Sequence, residues 1–123
     1  MGNIDIENLG LDAVSEYERQ NGRTIIERVR GFGYDLVSKN QGGTDERHIE
    51  VKATSKDRFT FRWLESLEQR AFECDPFFFL YLVTNVESDF PRVFVYDQER
   101  LRQRFSEAIT HHVYVFPRAD FAP

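Results

Sequence analysis

The chain of 123 residues predicts an α/β (α+β) fold in which helices interrupt a mixed sheet. Three observations carry this. Apolar residues recur at helical spacing from Leu11 to about Gln20, with Leu11, Val14 and Glu18 on one face. A hairpin pattern follows, two strands separated by the turn cluster Asn40-Gln41-Gly42-Gly43-Thr44-Asp45. Further on, Phe77-Phe78-Phe79-Leu80-Tyr81-Leu82-Val83 is almost wholly apolar, as a strand covered on both faces would be. A helical stretch between hairpin and buried strand excludes a continuous antiparallel sandwich.

In chain order, residues 1–10 show little pattern and are expected as a loose N-terminal arm, with a single domain over 11–123. Asn21-Gly22 stops the first helix. Thr24 to Val29 reads as a short strand, Gly31-Phe32-Gly33 as a turn, and Tyr34 to Ser38 as the next strand. Glu46 to Thr54 pairs back across the turn cluster. In it Ile49, Val51 and Ala53 point to one face, and Glu50 and Lys52 to the other. Phe61 to Phe72 is expected as a helix ended by Asp75-Pro76. After the buried strand, Arg92 to Tyr96 is a strand, Gln98 to about Ala108 a helix, and His112 to Phe116 a last strand.

Composition bounds the function. The chain is 41% hydrophobic, 30% charged and 15% aromatic, enough for a core without staples. One cysteine, Cys74, excludes an intrachain disulfide, favours a reducing cytoplasm, and reads as a buried apolar residue. No apolar run approaches a membrane span, and the acidic start is unlike a signal peptide. The net charge of −5 argues against a protein that coats nucleic acid, though not against an enzyme that cuts it. No phosphate-cradling glycine loop, nucleophile elbow or zinc spacing is present.

The spacing of Asp35, Glu50 and Lys52 permits one specific chemistry. Phosphodiester cleavage needs an activated water, polarisation of the phosphate and relief of charge on the leaving oxygen, all of which a divalent cation assists. Mg²⁺ accepts one or two carboxylates and keeps several waters. Asp35 and Glu50 can supply those carboxylates, and the Val51 carbonyl between Glu50 and Lys52 a third oxygen. Lys52 would orient water or stabilise the phosphate. Glu18, a charge on an apolar helix face, is the expected fourth member, preferred over Glu16.

The ordered set Gly33-Tyr34-Asp35-Leu36-Val37, Glu46 to Thr54 with Ile49-Glu50-Val51-Lys52, Glu68-Gln69-Arg70-Ala71 and Phe78 to Asn85 resembles the PD-(D/E)xK, or restriction-endonuclease-like, superfamily. Within it the set is closest to the NO VEIN C-terminal-like domains, over about residues 11–100. The resemblance implies an αβββαβ core and Mg²⁺- or Mn²⁺-dependent nuclease chemistry. Asp35, Glu50 and Lys52 would be the catalytic set, Glu18 the helix carboxylate, and the Glu68 helix would line the site or the nucleic-acid groove. The superfamily's Pro-Asp is here Tyr34-Asp35, and no separate recognition domain is visible.

Plainer readings stand beside these. Asp35 can be a turn-bonded strand end, and Glu50 with Lys52 an exposed ion pair worth little. Lys56 and Arg58, past the catalytic strand, can touch phosphates or be a solvated loop; Arg62, with Phe59, Phe61 and Trp63, can contact phosphate beside stacked bases or flank a core. Arg100, Arg102 and Arg104 read as a salt-bridged exposed face, and His111-His112 as structural. The sequence therefore predicts a cytoplasmic metal-dependent nuclease acting on DNA ahead of RNA, completed by a homodimer or protein partner. A nuclease-fold binding module without turnover is the alternative.

Overall fold

The computed structural model describes residues 3–58, 60–62, 66–105, 113–115 and 118–121. Helix α1 (Asn3–Gln20) leads into β1 (Arg23–Arg28), β2 (Leu36–Asn40) and β3 (Glu46–Ala53). Then come β4 (Thr60–Arg62), α2 (Ser66–Cys74), β5 (Phe78–Thr84), β6 (Arg92–Asp97), α3 (Gln98–Phe105), β7 (Val113–Val115) and a 3₁₀ turn over Arg118–Phe121. The α+β class is as expected, and with β4 set aside, since it pairs outside the main sheet, α1 through β5 follow the αβββαβ order of a restriction-endonuclease-like core.

Five strands form one sheet in the order β1-β2-β3-β5-β6. All neighbours are antiparallel except β3 and β5, which run parallel with Glu50 opposite Leu80 and Lys52 opposite Leu82. A parallel pair needs a crossover, and α2 lies in that connection. Strands β4 and β7 form a separate two-stranded sheet.

Alternation gives each face its own core. On one face α1 lays Val14 against a core of Leu36, Ile49, Val51, Tyr81 and Val83. On the other, Phe78, Leu80, Leu82 and Tyr96 pack with Ala71, Phe72, Leu101 and Phe121. Leu80, Tyr81, Leu82 and Val83 are all fully buried, which accounts for the unbroken apolar run of β5. The hairpin turn closes through Asn40, whose Oδ1 accepts from the backbone N–H groups of Thr44 (2.8 Å) and Asp45 (3.0 Å).

The structure corrects several expectations. Residues 3–10 are the first turns of α1, with Ile6 and Leu9 packed on the first core. Their apolar spacing continues through Ala13 and Tyr17, but the polar neighbours Asp5, Glu7 and Asn8 hide it. The expected helix over Phe61–Phe72 begins only at Ser66, because Thr60–Arg62 pairs with Val113–Val115 far along the chain. Cys74 is exposed, since it closes α2 at the surface. The last strand is described only over Val113–Val115, and His111 and His112 lie outside the described residues. Among the described residues no helix is long and apolar enough to cross a membrane.

Candidate active site

A notch in the sheet creates the site. Strand β2 starts at Leu36, opposite Ile49, so β3 runs on past it from Glu50 to Ala53 without a strand neighbour on that side among the described residues. Asp35 fills the gap. Its N–H donates to the Ile49 carbonyl (2.8 Å) and its own carbonyl accepts from Val29 (2.9 Å), fixing the backbone. Its side-chain Oδ2 then accepts from the Val51 N–H at 2.9 Å. A strand residue projects its N–H and C=O to the same side, so the Val51 carbonyl also faces the notch.

Glu50 and Lys52 lie on the face opposite α1, in register with Leu80 and Leu82. The Lys52 Nζ stands 3.3 Å from Glu50 Oε2 and donates to Glu68 Oε1 at 2.8 Å. Glu68 comes from the first turn of α2, and its second oxygen, Oε2, is buried without a hydrogen-bond partner among the described residues. The side chain of Glu50 is only 7% exposed. This pair is not the solvated surface pair that an isolated hairpin would present.

The electrostatics follow from that burial. Burial, reinforced by the Asp35 charge, pushes the Glu50 carboxyl well above the ordinary range. Burial likewise raises Asp35, although the Val51 N–H and a hydrogen bond with Glu50 oppose the shift. Burial alone would lower Lys52, but Glu50 and Glu68 outweigh it and raise its pKa, so it is an ammonium at neutral pH. Two carboxyls held close at a destabilising position, beside a third bonded through one oxygen to Lys52, form a donor set that a hard cation would relieve. Among the described residues no three His, Cys, Asp or Glu side chains form a ready-made coordination shell. Mg²⁺ does not need one, because it binds through one or two carboxylates and retains water.

The notch opens into a cleft of about 910 Å³. Glu7, Arg28, Arg30, Tyr34 and Glu68 line it around Asp35, Glu50 and Lys52. Asp35, Glu50, Lys52, the Val51 backbone and Glu68 are therefore brought together as expected.

Glu18 is not. It is fully buried on the α1 face, where its Oε1 accepts from Ser38 Oγ and Tyr81 OH, both at 2.8 Å, and lies 3.3 Å from Arg23 Nε. Its neighbour Tyr81 belongs to the opposite side of the sheet from Glu50. Glu16 is exposed and pairs with Arg19. The helix carboxylate that does reach the cleft is Glu7, whose charge is felt by Asp35. Glu7 sits eleven residues before Glu18 on nearly the same stripe, about 16 Å along the axis. The signal was the apolar spacing of Ile6 and Leu9, which extends the helix far enough to present it.

Lys56 and Arg58 are exposed on the loop after β3, beyond the cleft lining, which reaches Thr54 and Ser55; Arg58 stands 3.5 Å from Asp57. Arg62 contributes its backbone to β4, and its side chain lies outside the described residues, as do Phe59 and Trp63.

The family model described as "Protein NO VEIN, C-terminal" matches residues 6–96. No curated protein matches the chain significantly. The matched span runs from the first turns of α1 through β6 and contains Glu7, Asp35, Glu50, Lys52 and Glu68; the chain belongs to the NO VEIN C-terminal family.

Proposed function

We propose that this domain is a divalent-metal-dependent nuclease of the PD-(D/E)xK type, hydrolysing phosphodiester bonds of DNA ahead of RNA. The observation that carries the reading is the convergence of Asp35, Glu50 and Lys52 at the sheet notch, with Asp35 locked to Val51 and Lys52 to Glu50. Asp35, Glu50 and the Val51 carbonyl would hold Mg²⁺ or Mn²⁺, with Glu7 bordering the same space. The bound ion would polarise the phosphate and lower the pKa of water.

The chain's own residues account for the remainder. Lys52, held as an ammonium between Glu50 and Glu68, donates hydrogen bonds to water or a phosphate oxygen and does not serve as a proton acceptor. Glu68 sets the position of that ammonium. Arg28 and Arg30 place positive charge on the cleft wall, where a phosphodiester backbone would approach an otherwise acidic site. A reducing cytoplasm and a second subunit complete the proposal. Ile26 on edge strand β1 (52% exposed) and Phe90 before β6 (86% exposed) offer apolar contact for such a subunit.

The alternative reading is a binding module without turnover. It is favoured by the net charge of −5 and by a Lys52 already satisfied by two carboxylates. Plasmid, linear DNA and RNA incubated with Mg²⁺ or Mn²⁺ separate the two, with Lys52→Ala and Asp35→Ala alongside. Metal-dependent cleavage lost in both variants supports the enzyme. Binding without cleavage supports the module. Cleavage that survives in both variants removes this site from consideration.

A further inference from the structure

Beside the cleft, the turn Gly31-Phe32-Gly33 displays an aromatic ring to solvent. Phe32 is 59% exposed. Its flanking glycines have φ of +80° and +82°, a left-handed backbone that side-chain-bearing residues adopt only with strain. The turn is thus built to hold one large apolar side chain outward, at the edge of a cleft that both glycines line.

The ring is also the outer end of an aromatic series. Phe32 lies 6.0 Å from Tyr34, tilted by 31°. Tyr34 stacks on His48 at 4.5 Å and 17°, and His48 meets Phe77 edge-on at 5.4 Å. The imidazole is fixed in turn by the carboxylates of Asp75 and Glu46, one at each ring nitrogen. The inner rings are therefore anchored, while the outermost is more than half exposed.

Its surroundings select the occupant. Arg30, on the same connection, and Arg28, the last residue of β1 and 3.2 Å from Asp12, line the cleft. Asp35 follows Phe32 by three residues, at most about 11 Å of extended chain. A flat apolar group next to an anion, beside a phosphodiesterase centre, describes a nucleotide. A base in an intact duplex has both faces covered by its neighbours, so only an unpaired base can meet Phe32 face to face.

We propose that Phe32 stacks on an unpaired nucleobase adjoining the scissile phosphate, which makes single-stranded nucleic acid, or frayed duplex ends, the preferred substrate class. This inference rests on the nuclease reading of the cleft.

The test uses the full chain with Ca²⁺, following fluorescence anisotropy of a labelled single-stranded oligonucleotide and of the same sequence as a blunt duplex. Phe32→Ala is expected to weaken single-strand binding about five- to 150-fold, the range of a base–aromatic stack, and to leave duplex binding unchanged. Phe32→Trp restores single-strand binding. The emission of a 2-aminopurine base in the strand changes on binding the original protein and not on binding Phe32→Ala. Equal losses on both substrates would point to a wedge in duplex DNA and overturn the proposal, as would unchanged binding. A shift in oligomeric state with DNA binding intact would make the turn a subunit contact. Single-strand cleavage in Mg²⁺ that ignores Phe32→Ala sinks the stacking role and spares the nuclease. Phe32-dependent binding with no cleavage by any form does the reverse.

Discussion

Helix α1 must lie tight against β3 for Glu7 to border the cleft, and Gly10 is where that contact is tightest. A Cβ added at Gly10 would stand 2.7 Å from the Ala53 Cβ and 3.4 Å from Val51 Cγ1. Carbon atoms prefer about 3.5–4.0 Å, so the first contact overlaps by about 1 Å. The Ala53 Cβ is fixed to the backbone of a central strand and cannot swing aside. Two terms oppose each other in Gly10→Ala. Alanine gains about 1 kcal/mol of helix propensity over glycine. Overpacking costs about 1–3 kcal/mol when backbone must move. The clash should win, for a net loss of up to about 2 kcal/mol and a Tm lower by up to roughly 10 °C in a chain of this size. Thermal denaturation followed by circular dichroism measures it. Ala53→Gly alone should cost about 0.5–1 kcal/mol, as glycine does in a strand. Combined with Gly10→Ala, it should return stability, giving a favourable coupling in the double-mutant cycle. A Gly10→Ala variant more stable than the starting protein, with no coupling to position 53, would mean that α1 is not seated on β3 as described.

That helix also shows where local sequence runs short. The alternation of Ile49 to Ala53 predicts which side chains of β3 face the first core, and it holds. The apolar run of β5 predicts a central strand, because burial on both faces removes alternation. The set Asp35, Glu50 and Lys52 is legible because its members sit at a strand end and on one strand face, where period-two geometry fixes their relation. Glu18 reads correctly as a charge on a buried stripe. Its partners Arg23, Ser38 and Tyr81 lie on three separate strands, so its true role as a buried polar anchor is a tertiary fact. Strand β4 fails for the same reason: its partner β7 is some fifty residues away in the chain.

Further outcomes follow from the same geometry. Glu50→Gln should stabilise the metal-free protein at neutral pH by roughly 1 kcal/mol, as relieved active-site strain commonly does. The sign comes from linkage: the folded pKa of Glu50 is raised, so its charge costs stability increasingly as pH climbs from the unfolded value through the folded one. The gain should therefore shrink below about pH 4, and a pH-independent gain in thermal melts would contradict it. Glu7→Gln should reduce metal-dependent cleavage with little change in Tm, whereas Glu18→Gln should lower stability by about 1–3 kcal/mol and keep the pH and metal profile of the remaining activity. The reverse assignment in paired melts and rate assays would return Glu18 to the site. Tyr81→Phe removes a buried hydroxyl that accepts from Arg47 at 2.7 Å and donates to Glu18, so urea unfolding should show a loss of about 1–3 kcal/mol; no loss would mean that water replaces the hydroxyl at once.

The proposed site requires that Asp35 and Glu50 meet at one cation. Isothermal titration of Mn²⁺ into the full chain, alone and as Asp35→Asn, tests it most directly. One saturable site is expected, with proton release from Glu50, whose raised affinity for protons is lost on binding, and loss of that site in the variant. No saturable heat in the unaltered protein, or equal binding by Asp35→Asn, would contradict it.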